Sequence, residues 1–178
     1  MVCLCLMTGC GNDSGEIRRA MALRDRLLSN GCSFDGEITA DYGDKIHQFS
    51  VSCQADSQGN LEFSVLEPAS IAGITGKVRD SGGTLTFDDT ALCFSLLADG
   101  QITPVCAPWI FLKTLRGGYL TSAGVEGEGL RLSLDDSFEE DALHVDIWLD
   151  EEDIPIRGEM LYGGRRILSL DVKNFVMK

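Results

Sequence analysis

Basic residues are scarce: 15 Lys and Arg stand against 28 Asp and Glu in 178 residues, a formal net charge of −13. Such a chain repels a phosphate backbone, and its aromatic residues do not interleave with basic ones, so nucleic acid is a poor partner. Histidine is scarcer still, only His47 and His144. Neither lies in a nucleophile or metalloprotease motif, since Gly-x-Ser-x-Gly and His-Glu-x-x-His are both absent. No Cys-x-x-Cys pair occurs, which removes the common zinc frameworks. No apolar run reaches the roughly 20 residues that a spanning helix needs. At 44% hydrophobic residues the chain is too apolar for disorder. Without a linker, repeat or low-complexity tract, it reads as one domain burying roughly 70% of its unfolded surface.

What is abundant is cysteine, seven in all. The opening Met1-Val2-Cys3-Leu4-Cys5-Leu6-Met7-Thr8-Gly9-Cys10 is apolar and uncharged, and a small polar stretch, Gly11 to Gly15, follows. This reads as a secretory apolar region running into a cleavage site. Leu6-Met7-Thr8-Gly9-Cys10 resembles the bacterial lipobox, in which the cysteine after the cut receives a diacylglyceryl group. The expectation is therefore a signal remnant at residues 1–9, a tether at 10–15 lipidated on Cys10, and a domain at 16–178. The other reading of the segment is a buried N-terminal strand with incidental cysteines. No Lys or Arg precedes Leu6, so a longer precursor or an earlier start codon is expected. Cleavage would discard Cys3 and Cys5 and leave Cys32, Cys53, Cys93 and Cys106 besides the anchor.

Asp13 and Glu16 have capping-box spacing, apolar residues recur at Ile17, Ala20, Met21, Leu23, Leu27 and Leu28, and Asn30-Gly31 supplies a left-handed stop. The pattern predicts an amphipathic helix with Arg18, Arg19, Arg24, Asp25 and Arg26 toward solvent. From Cys32 the apolar period becomes two. Closing a hairpin on Asp41-Tyr42-Gly43-Asp44 sets Ala40 opposite Lys45 and Cys32 opposite Cys53. A second hairpin on Ala98-Asp99-Gly100-Gln101 sets Cys93 opposite Cys106. Directly opposed residues lie within reach of a disulfide, so the expected bridges are Cys32–Cys53 and Cys93–Cys106; four buried free thiols are the alternative. Further strands are expected at 60–66, 74–79, 83–88, 119–124, 129–134, 142–149, 154–162 and 165–176. One helical turn is expected at 68–73, and a helix from Ala107-Pro108 to Gly117-Gly118. The order is an antiparallel meander of short strands.

A lipobox, an N-terminal helix and a long meander broken by short helices resemble the LolA-like lipoprotein carriers and the LppX-type lipoproteins. The closest echoes are Phe63-Ser64-Val65-Leu66-Glu67-Pro68, Leu85-Thr86-Phe87-Asp88, Ala107-Pro108-Trp109, Trp148-Leu149-Asp150 and the terminal Asn174-Phe175. That resemblance implies a mainly β, α+β fold. Its strongly curved, incompletely closed antiparallel sheet, a half-barrel, wraps around an N-terminal helix and short helical plugs. It also implies an apolar hollow for acyl chains, lined by Phe34, Phe49, Val51, Phe63, Val65, Leu96, Trp109, Ile110, Leu112, Leu115, Leu132, Val145 and Ile147. The bland reading of those residues is filled core.

The expected function is a non-enzymatic, membrane-anchored lipoprotein, exported to the outer face of the bacterial cell membrane, that binds a hydrophobic or lipid ligand. The alternative is an envelope protein-interaction module with a solid core. No cofactor and no metal are expected. The acidic runs at 135–141 and 150–153 lack the alternating ligands and central glycine of a calcium loop and read as solvated turns.

Overall fold

The computed structural model describes residues 13–95, 97–98, 101–140 and 142–178. Helix α1 (Asp13–Ser29) is followed by β1 (Cys32–Asp41), β2 (Ile46–Ala55), β3 (Leu61–Glu67), β4 (Thr75–Arg79), β5 (Gly82–Phe87), β6 (Thr90–Phe94) and the two-residue strands β7 (Leu97–Ala98) and β8 (Gln101–Ile102). A 3-10 turn (Pro104–Cys106) leads into α2 (Ala107–Gly117), then β9 (Tyr119–Glu126), β10 (Gly129–Asp135), β11 (His144–Leu149), β12 (Pro155–Tyr162) and β13 (Arg165–Met177). Eleven strands form one antiparallel sheet in the order β6-β5-β4-β3-β2-β1-β13-β12-β11-β10-β9, open at β6 and β9. The half-barrel expected from the resemblance is the observed fold.

Alternation places one side chain of every pair on the concave face. Leu130, Leu132 and Leu134 of β10 and Val145, Ile147 and Leu149 of β11 are all buried there, as are Leu168 and Leu170 of β13. The helices fill the space above them: α2 packs on β10 to β13, and α1 packs on α2 and β9. Phe111 of α2 seats over β12, where a Cβ on Gly158 would stand 2.6 Å from the Phe111 Cδ2. A larger residue at 158 would lift the helix off the sheet.

Several expectations are corrected. Helix α1 starts at Asp13, inside the expected tether, and it has no left-handed stop, because neither Asn30 nor Gly31 has positive φ. Gly31 is needed for space instead: a Cβ there would meet the Ala55 carbonyl oxygen at 2.6 Å. Arg24 is not solvated but donates from Nε to the Leu115 carbonyl (3.0 Å) and from Nη2 to the Gly118 carbonyl (2.7 Å). Arg116 answers from α2, donating to the Leu27 carbonyl of α1 and, at 2.7 Å, to that of Ser57. Each cation thus sits at the negative C-terminal end of the other helix and ties the two together.

The first hairpin is slipped by two residues from the expected register: Asp41 opposes Ile46, Cys32 opposes Ala55 and Cys53 opposes Phe34. In the second, Leu97 and Ile102 do oppose each other, but the pairing ends after two residues. Cys93 instead lies on β6 opposite Thr84, and Cys106 is buried in the 3-10 turn. Neither bridge is made; Cys32, Cys53, Cys93 and Cys106 are free thiols. Burial pushes the Cys32 thiol up to about 11 and that of Cys106 up to about 12, and Cys53 is raised as well. Protonated thiols of this kind are inert at neutral pH.

Candidate functional site: the concave face and its open end

The residues expected to line a hollow are brought together. Phe34, Val51, Phe63, Val65, Trp109, Ile110, Leu112, Leu115, Leu132, Val145 and Ile147 are buried in one apolar cluster, with Phe49 half-buried against it. Leu96 and Cys10 lie outside the described residues. Over β10 to β13 these side chains pack on one another: the Phe34 ring lies 6.3 Å from that of Phe111 and stacks at 5.8 Å on that of Phe175. There the face is filled.

Toward β6 the same face changes character. The rows run Leu61-Val78-Gly83-Phe94 and Phe63-Gly76-Leu85-Leu92 across β3 to β6. Exposure rises along them, from Leu61 and Phe63 in the core, through half-buried Leu85, to Leu92 at 64%. Phe87, on the parity of Leu85, is 49% exposed. Gly76 and Gly83 keep this end shallow, because a Cβ on either would collide with the ring of Phe63 or Phe94. The result is an apolar shelf continuous with the core and open to solvent.

The convex side is polar. A groove of about 520 Å³ crosses β2 to β5, lined by Ser52, Gln54, Ser64, Thr75, Thr84 and Thr86, with Lys77 and Glu62 paired at 2.6 Å. Over β10 to β12 lies a charged ladder that the sequence reading missed. Cross-strand register sets Arg131 against Trp148, Ser133 against Asp146, and Asp135 against His144. Trp148 carries guanidinium groups on both sides, Arg131 at 5.3 Å and Arg157 at 5.5 Å from the ring centre. Asp146, 4% exposed, accepts from Ser133 Oγ at 2.6 Å and from Arg131 Nη2 at 2.7 Å. Burial works against its charge, yet these donors outweigh it and hold the carboxyl below its ordinary value of 3.8. The signal was the period-two spacing Arg131-x-Ser133-x-Asp135 against His144-x-Asp146-x-Trp148.

The ladder does not assemble a nucleophile. Ser133 Oγ donates to Asp146, and His144 Nδ1 is held at 2.7 Å by Asp135. The acidic runs are turn-formers: Asp150 Oδ1 accepts from the backbone N–H of Glu152 and Ile154, and Asp136 Oδ1 from that of Leu143. Among the described residues no helix is long and apolar enough to cross a membrane, and no cluster has the makings of a metal site.

An open antiparallel sheet with helices laid in its concavity is a fold that this chain shares with solved structures. Among solved structures, a putative outer membrane lipoprotein-sorting protein domain from Vibrio parahaemolyticus is 8% identical, with a TM-score of 0.51 over 94% of both chains. An uncharacterized conserved protein from Thermus thermophilus is 13% identical, also with a TM-score of 0.51, over 91% of this chain and 87% of that one. A LolA superfamily protein from Nitrosomonas europaea is 12% identical, with a TM-score of 0.46 over 89% of this chain and 93% of that one. No protein-family model and no curated protein matches the sequence. At these identities the likeness is one of fold, and the LolA-like resemblance holds at that level.

Proposed function

We propose that this protein is an extracytoplasmic lipoprotein that takes a hydrophobic or lipid ligand on the concave face of its sheet. A lipid on Cys10 would hold it at the outer face of a bacterial cell membrane, with residues 1–9 removed and the acidic domain facing away from the bilayer. The observation that carries the reading is the unfinished cover of the concavity. One face is core under α2 and exposed apolar shelf at Phe87 and Leu92. An acyl chain laid on that shelf would continue the apolar surface toward Phe63 and Val65, gaining about 0.8 kcal/mol per buried methylene. The fold shared with a lipoprotein-sorting domain supports the same reading. No catalytic role is proposed for either histidine.

A second reading, an envelope protein-interaction module with a filled core, is favoured by the packing of α2 against β10 to β13. Native mass spectrometry of the purified chain after exposure to a membrane lipid extract separates the two. A bound lipid is expected, and a chain that emerges bare favours the second. Labelling with a radioactive fatty acid in the producing cell tests the anchor. Incorporation is expected in the natural chain and not in Cys10→Ser.

A further inference from the structure

The sheet has two open edges, the five-residue β6 and the eight-residue β9, and α1 packs on β9. Strand β9 runs eight residues, Tyr-Leu-Thr-Ser-Ala-Gly-Val-Glu, with no Pro, Lys or Arg, and among the described residues it pairs on one side only, with β10. Natural edge strands are ordinarily short, carry inward charges or lysines, or lie under a loop. Here every second residue of an eight-residue strand turns its N–H and C=O to the free side. A single irregularity falls at Thr121, whose hydroxyl donates to the Ser133 carbonyl at 3.0 Å; from Ser122 to Glu126 the pairing is regular.

The ends of this edge have opposite chemistry. At its start the Tyr119 ring lies against that of Phe138, which is 83% exposed. At its finish a groove of about 530 Å³ opens, lined by Glu126, Glu128, Asp150, Glu151 and Glu152 around Trp148 and Ile156. Arg131 lies 3.5 Å from Glu126, Arg157 flanks Trp148, and Arg19 pairs with Asp153 beside the groove; Glu128, Glu151 and Glu152 make no ion pair among the described residues. With a net charge of −13 on each copy, a second copy of this chain is repelled.

We propose that β9 is a strand-addition site for an extended segment of another protein, about eight residues long, carrying an apolar side chain at one end and Lys or Arg at the other. The backbone would supply the affinity, and the aromatic pair and the acidic groove the register. This surface is separate from the concave shelf and stands whether or not a lipid binds there.

The probe is an eight-residue peptide with phenylalanine at one end, lysine at the other and alternating valine and threonine between them, synthesised in both chain directions. Fluorescence anisotropy against the full chain and hydrogen exchange at residues 119–126 are the readouts. Expected are binding by one direction, slowed exchange along β9, and about tenfold weaker binding by the triple variant E128K/E151K/E152K. Those three side chains are exposed and make no ion pair among the described residues, so the fold is untouched. A version of the peptide N-methylated at every second residue cannot add to a strand and is expected to lose binding. Unchanged exchange along β9, or equal binding by the methylated peptide or by the triple variant, overturns the proposal.

Discussion

The sheet has two ends built from the same alternating pattern, and they do opposite things. Strands β10 to β13 bury their inward side chains almost completely beneath α2, while β5 and β6 leave Phe87 49% and Leu92 64% exposed on the same face. The strands themselves are not what differs. The cover does: the helices lie over the second half of the sheet, tied there by Arg24 and Arg116. An apolar residue at an inward position therefore means stability at one end and available surface at the other. That contrast can be broken by substitution.

Phe111→Ala is expected to give the largest effect, a loss of about 3–5 kcal/mol in chemical denaturation. It empties the seat over Gly158 where helix and sheet meet. Removing Asp146, which joins Arg131, Ser133 and His144 on the convex side of the same half, comes next at about 2 kcal/mol. The effect carries a pH signature. Because the carboxyl is held below its ordinary value of 3.8 in the fold, its contribution is complete above that value and disappears as pH falls through the lower folded one. The stability difference between the natural chain and Asp146→Asn should therefore be flat near neutrality and close only in acid.

Arg24→Ala ranks third, at about 1 kcal/mol. Its sharper readout is hydrogen exchange: α2 amides should open faster while those of β12 and β13 hold. Uniform acceleration would mean that the helix and the covered strands open as one unit, and that α2 cannot yield to a ligand independently.

How far the sequence carried this picture depends on which force sets each element. Period-two runs such as Leu130-Leu132-Leu134 found their strands, because burial on one face is written directly into side-chain type. The Cys32–Cys53 pair misled because a two-residue slip keeps every side chain on its face, and the Cys93–Cys106 pair because its hairpin stops after two residues. Apolar pattern therefore could not separate the expected register from the observed one. What selects between them is the turn: the Tyr42 N–H donates to the Lys45 carbonyl, and Gly43 has φ of 95° and donates to Asp41 Oδ1. The turn that creates β6 was missed for a related reason. Asp88 and Asp89 both adopt positive φ, 45° and 61°, a conformation aspartate tolerates and sequence does not demand. Helical periodicity places Arg24 toward solvent because it ranks faces by apolar content, and an arginine that caps the carbonyls of a neighbouring helix leaves no trace in that ranking. Phe87 and Leu92 lie outside the expected lining set, because apolar periodicity does not separate an inward position under a helix from one left uncovered.

The smallest stability effect is the most informative about function. Leu92→Asp places a charge on a side chain already 64% exposed, so the denaturation midpoint should shift by no more than about 0.5 kcal/mol. The same charge would stand in the path of any acyl chain laid along Leu85 and Leu92, and its desolvation would cost far more than the contact it replaces. Lipid seen by native mass spectrometry on the natural chain should therefore be absent from Leu92→Asp at unchanged stability. Should Leu92→Asp instead unfold the protein as deeply as Phe111→Ala, β6 would belong to the covered core, and the two ends of the sheet would not differ in kind. Should stability and lipid both survive, the ligand would lie under α2, and Arg24→Ala, which loosens that helix, would then be the variant that changes how much lipid is held.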